Sequence, residues 1–113
     1  MASKRSAPLQ TICVAFIGGL ERLEHEIVPF GEKLGLEVVV HNGHTGGGGS
    51  ARLVGLIQRT DVAVIVTGVN SHNAVQIARR EAVKSGAHVR LLKSLGAGTA
   101  RALLTEIARQ AAA

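Results

Sequence analysis

The chain has 113 residues, a hydrophobic fraction of 46% and a formal net charge of +5 at pH 7, with a sequence pI near 10.4. That length suits one domain, and the apolar fraction argues for a packed core and against disorder. With two phenylalanines and neither tryptophan nor tyrosine, the chain lacks a stacking platform for single-stranded bases; it also lacks a duplex-reading motif, so the basic balance points to an acidic small molecule ahead of nucleic acid.

Residues 1–10, small and basic with Lys4, Arg5 and Pro8, are expected to form a flexible basic arm, and 11–113 a single α/β domain. The apolar stretch after the arm, Thr11–Ile17, reads as a strand and not as a secretory core. No apolar run approaches the roughly 20 residues that a membrane span needs. A cytoplasmic setting is therefore expected, and the single cysteine, Cys13, agrees with it. Lying inside the first strand, Cys13 reads as a buried, inert thiol.

Strand one is expected at Ile12–Ile17, an unbroken apolar run of the kind buried on both faces, ended by Gly18 and Gly19. Helix one follows over Glu21–Leu34, its inward stripe formed by Leu20, Leu23, Ile27, Phe30 and Leu34. Pro29 should kink or split that helix, because it removes a backbone donor. Gly35 stops it, and Leu36–His41 is strand two. A loop with four consecutive glycines, Gly46–Gly49, reads as a lid or linker leading to a short helix over Ser50–Arg59. Strand three spans Asp61–Thr67 and helix three Ser71–Ser85, with Ala74, Ala78 and Ala82 on its buried face. Strand four is Ala87–Leu92. The last helix covers Gly98–Ala111, with Leu103, Leu104, Ile107, Ala108 and Ala111 inward.

Apolar strands alternating with helices call for a parallel sheet covered on both faces. The simplest topology with right-handed crossovers is a small, doubly wound, four-stranded Rossmann-like sheet in the order 2-1-3-4, with its switch point between strands one and three. Two free edges on so small a sheet lead to the expectation of a homodimer.

In such a sheet, ligands collect at the carboxyl ends of the strands. His41, His44 and His72 fall on that rim. Asn70 and Ser71 are good helix caps, so His72 enters the first turn of helix three, where the helix dipole favours anions. Gly18 and Gly19, with Arg22 nearby, offer close backbone approach to an anion, although the full dinucleotide fingerprint is missing. The glycine run lacks the Gly-Lys-Ser/Thr ending of a nucleotide triphosphatase loop, since Ser50, Ala51 and Arg52 follow. A phosphorelay receiver is excluded because Asp61 begins strand three instead of ending it. A serine hydrolase is excluded because no nucleophile elbow is present. His25, off the apolar stripe of helix one, should face solvent or a partner.

Several segments in order carry a resemblance: Val14 to Gly19, Arg22, Leu34–Gly35, His41–Asn42–Gly43, Asp61 to Val64, Ser71–His72–Asn73–Ala74, and Lys84–Ser85–Gly86. The series resembles the bacterial domain of unknown function 2325 family, over about Ile12 to Ser94. The resemblance implies a compact bacterial cytosolic domain, often dimeric, and some similar proteins bind haem and lose the porphyrin in the presence of oxygen. Haem as cofactor requires an axial imidazole and cationic partners for its propionates. His72 is the first candidate ligand, His25 the second at a dimer seam, then His41 and His44. Arg22, Arg52, Arg79, Arg80 and Lys93 are candidates for the propionates, and Gly18, Gly19 and Ser71 complete the expected rim. The contrasting expectation is a non-enzymatic regulatory module that recognises a phosphorylated metabolite or nucleotide at the glycine-rich rim.

Overall fold

The structure, a computed structural model, describes residues 11–18, 21–68 and 72–112, and for Glu21 and His72 the backbone alone. Four strands, β1 (Ile12–Ile17), β2 (Leu36–His41), β3 (Val62–Val66) and β4 (His88–Leu92), form one sheet in the order β2-β1-β3-β4. All pairings are parallel, with Val14 opposite both Val38 and Val62, and Val64 opposite Arg90. Four helices alternate with them: α1 (Glu21–Lys33), α2 (Gly49–Gln58), α3 (His72–Ser85) and α4 (Ala97–Ala112). This is the doubly wound order expected from the apolar strands.

Successive side chains of a strand face opposite sides of the sheet, and β1 divides its residues accordingly. Val14 and Phe16 enter one core with Leu23 and Ile27 of α1 and Leu103, Leu104 and Ile107 of α4. Ala15 and Ile17 enter a second core with Leu53, Leu56 and Ile57 of α2 and Ala74, Ile77, Ala78 and Ala82 of α3. Helices α1 and α4 thus cover one face, and α2 and α3 the other. An Arg101–Glu26 ion pair also ties α4 to α1. Cys13 is buried, and burial, followed by the nearby Glu37 carboxylate, pushes its thiol up from the ordinary range, as suits an inert position.

Below the first ladder pair of β1 and β3, a side chain continues the pairing. The Cys13 N–H donates to Asp61 Oδ2 at 2.8 Å, while the Asp61 N–H donates to the Cys13 carbonyl at 2.9 Å. Asp61 therefore closes the opening end of the sheet.

Two local expectations change. Helix α1 is not split at Pro29, which lies inside it on an exposed position. The carbonyl deprived of a partner by the missing N–H belongs to His25, itself an exposed residue, where water can take over. Ala111 is exposed and not inward, at the lip of a groove that it shares with Ile12 and Val62, while Ala100 joins the core instead. Among the described residues no helix is long and apolar enough to cross a membrane.

Candidate functional site

The rim at the carboxyl ends of the strands is held together by backbone bonds. The Gly18 N–H donates to the His41 carbonyl at 2.8 Å, joining the ends of β1 and β2. Thr67 and Gly68 donate to the carbonyls of Leu92 and Lys93 at 2.7 and 2.9 Å, joining the ends of β3 and β4. The first of these bonds consumes the N–H that Gly18 would otherwise present to an anion.

His41 ends β2 and is half-buried. Its Nδ1 accepts the Gly43 N–H at 2.9 Å, so the ring is neutral and carries its proton on Nε2. Burial lowers its pKa first, and the Arg52 cation lowers it further, against an opposing contribution from the Gly49 backbone. The next residues form an Asx turn, in which the His44 N–H donates to Asn42 Oδ1 at 2.8 Å. His44 itself is exposed.

The glycine run is a built turn, not the lid or linker expected from its composition. Gly49 donates to the Gly46 carbonyl at 3.0 Å, and both the N–H and the hydroxyl of Ser50 donate to the Thr45 carbonyl at 3.2 Å. Gly48, with φ 88°, is the N-cap of α2 in the left-handed region that favours glycine. A Cβ on Gly49 would stand 2.1 Å from the His44 carbonyl oxygen, so the chain can pass there only without a side chain. Arg52, in the first turn of α2, is exposed; its guanidinium folds back to 3.5 and 3.8 Å from where Cβ atoms on Gly48 and Gly49 would stand.

This turn is fastened to the start of α3, where Asn73 Nδ2 donates to Thr45 Oγ1 at 3.2 Å. The loop that bears His41 and His44 thus abuts the residue after His72. Sequence reasoning missed both members of that contact, since nothing in their spacing of 28 positions pairs them. Gly19 and Ser71 lie outside the described residues, as does the His72 side chain, although α3 begins at His72 as expected. Arg22 and His25 are exposed on α1. Because α1 packs on the sheet face opposite α2 and α3, His25 is not brought to the same side as the glycine turn. Arg79 and Arg80 are exposed on α3, Arg80 lying 3.6 Å from the buried Glu81, and Lys93 is exposed beyond β4. Among the described residues no three His, Cys, Asp or Glu side chains converge as a metal-ligand set.

Residues 13–107 match the model of a family described as "Uncharacterized protein conserved in bacteria (DUF2325)". The chain belongs to this family. The DUF2325 match runs from the second residue of β1 to Ile107 of α4 and so contains all twelve rim and helix residues named as candidates. No curated protein matches the chain.

Proposed function

We propose that this DUF2325 protein binds haem as a homodimer at the rim, and that the bound porphyrin is open to oxygen-dependent breakdown. The observation that carries the reading is the Asn73–Thr45 hydrogen bond, which brings the loop with His41 and His44 against the helix start that bears His72. Several imidazoles on one rim are a suitable donor set for haem iron. His72 remains the first candidate as axial ligand, and His25 the candidate across a dimer seam. His44, exposed, is better disposed than His41, whose Nδ1 is committed to Gly43 and whose Nε2 holds the proton that ligation would displace. Arg52 and Arg22 are candidate partners for the propionates, with Arg79, Arg80 and Lys93 further along α3 and beyond β4.

An apolar macrocycle needs cover that one rim lined by polar loops does not give, and a second protomer would supply it. Leu91 supports this. Its ladder partner Ile65 belongs to the core under α2 and α3, yet Leu91, one residue from the rim end of the edge strand β4, is 45% exposed. Val83 on α3 is also exposed. Once bound, haem supplies a redox-active iron for reaction with dioxygen, with an external reductant as the source of electrons. The chain's own task is to hold the group, neutralise its propionates and limit water at the seam. A cytoplasmic setting belongs to the same proposal, supported by the buried, unpaired Cys13.

The test is an absorbance titration of the full chain with hemin, in air and then under nitrogen after reduction. A saturable Soret band at a fixed haem-to-protomer ratio is expected, shifted or lost in His72→Ala or His25→Ala and bleached only in air. A spectrum equal to that of hemin with a non-binding control protein would refute the reading.

A further inference from the structure

At the opposite end of the sheet from the rim lies a groove of about 370 Å³, between the first residues of the strands and the last turns of α4. Ile12, Val62, Ile107 and Ala111 make its apolar walls, and His88 and Arg90 its polar edge. Among the described residues that line it none is acidic. It lies where the edge strand β4 leaves its first residue exposed beside α4. Arg90 shares the α4 face of the sheet with its ladder partner Val64, but both His88 and Arg90 are exposed.

We propose that this groove binds a small monocarboxylate with an apolar body of medium-chain length. The size lies near the lower end of small-molecule pockets, enough for such a body and too small for a large cofactor. Arg90 offers the planar fork that pairs with a carboxylate through two parallel hydrogen bonds. Its present partner holds it loosely. Glu106 Oε1 lies 4.0 Å from Arg90 Nη2, with both side chains nearly half exposed, and the other Glu106 oxygen accepts from Gln110 Nε2 at 3.4 Å. A ligand carboxylate at normal hydrogen-bond distance would outcompete that contact. The neighbouring Glu106 also limits the charge of the ligand, since its carboxylate repels a dianionic phosphate more strongly than a monoanion. The apolar body then covers Ile12, Val62, Ile107 and Ala111.

Octanoate is the probe, titrated into the full chain and followed by backbone amide NMR. Saturable shifts are expected at Ile12, Val62, His88, Arg90 and Gln110. Octan-1-ol, without the charge, and acetate, without the body, should each bind at least about tenfold more weakly. Arg90→Gln should weaken octanoate about tenfold, Arg90→Lys should lie between, and Lys33→Gln on α1 should leave binding unchanged. Thermal midpoints check that each variant is folded. Absence of saturable shifts, equal binding by Arg90→Gln, or shifts confined to the rim would overturn the proposal. So would occupation by another part of the protein, seen as groove shifts that follow protein concentration (a second copy) or as Overhauser contacts from residues 1–10.

Discussion

Replacing the four glycines of Gly46–Gly49 with alanine one at a time should give three distinct outcomes. At Gly49 the new Cβ would stand 2.1 Å from the His44 carbonyl oxygen and 3.0 Å from its carbon, both backbone atoms that cannot rotate away. Relief requires the loop to move by about 1 Å against its own hydrogen bonds, and overpacking of this kind costs about 1–3 kcal/mol. At Gly46 the nearest atom would be the imidazole Nε2 of His44 at 3.6 Å, an ordinary contact, and the residue has no positive φ. Gly46→Ala should therefore be neutral or slightly stabilising, by up to about 1 kcal/mol, because it stiffens the unfolded chain. Gly47 and Gly48, with φ of 56° and 88° and no backbone in the way, fall between, at about 1 kcal/mol each for a left-handed alanine. Thermal and urea unfolding at pH 7.5 would resolve the series. For a chain of this size each kcal/mol moves the midpoint by about 4 °C, so Gly49→Ala should fall about 8 °C below Gly46→Ala. Equal midpoints for those two variants would show that the run is a pliant linker and refute the reasoning.

Other outcomes follow from single contacts. Because the folded-state pKa of His41 lies below that of the unfolded chain, the unfolded state binds the proton first as pH falls. The contribution of His41 to stability is complete above about pH 6.5 and is lost as pH drops from there through its folded pKa. In His41→Asn, whose Oδ1 can still accept the Gly43 N–H, the loss of thermal stability between pH 7.5 and 5.5 should be smaller than in the parent; an unchanged difference would contradict the assignment. Asp61→Ala leaves the Cys13 N–H without its carboxylate and should cost about 1–3 kcal/mol in urea unfolding, while Asp61→Asn keeps an acceptor and should cost less. Leu104→Ala, at a fully buried position of α4, should cost about 2–5 kcal/mol, and a value below 1 would mean that α4 is not packed as described. Cys13 should react with a disulfide reagent at pH 8 only slowly until denaturant is added; rapid reaction of the native chain would contradict its burial.

The architecture was legible because the apolar runs of β1 and β3 are buried on both faces, and a strand so buried demands helices above and below. Gly35 and Gly86 mark the ends of α1 and α3 within two residues. Less was legible where one backbone meets another far along the chain. Gly31 carried no signal in the sequence, yet a Cβ there would stand 2.2 Å from Val38 Cγ2, so this glycine lets the helix seat against β2. The role of Asp61 was read only by elimination, as an aspartate in the wrong place for a receiver. Its bond to the Cys13 N–H depends on strand register, which no local pattern reveals. His41 was placed correctly at the end of β2, but the state of its ring depends on where the Gly43 N–H points. A ring two residues before a glycine carries no such information.

The two faces of the sheet differ in how many buried alanines they hold, and that inequality governs how the protein can change. Under α3 five fully buried alanines, Ala15, Ala63, Ala74, Ala78 and Ala82, pack among Ile17, Ile65 and Ile77, so an added methylene at any of them has nowhere to go. Under α1 and α4 the side chains are, Ala100 apart, leucine, isoleucine, valine and phenylalanine, whose volumes can be exchanged among neighbours. Because the sheet separates the two sets, substitutions on one side should leave the other nearly undisturbed. Descendants of this sequence can therefore drift on the α1 and α4 side, while the seating of α3, and with it the position of the rim that α3 opens onto, stays fixed.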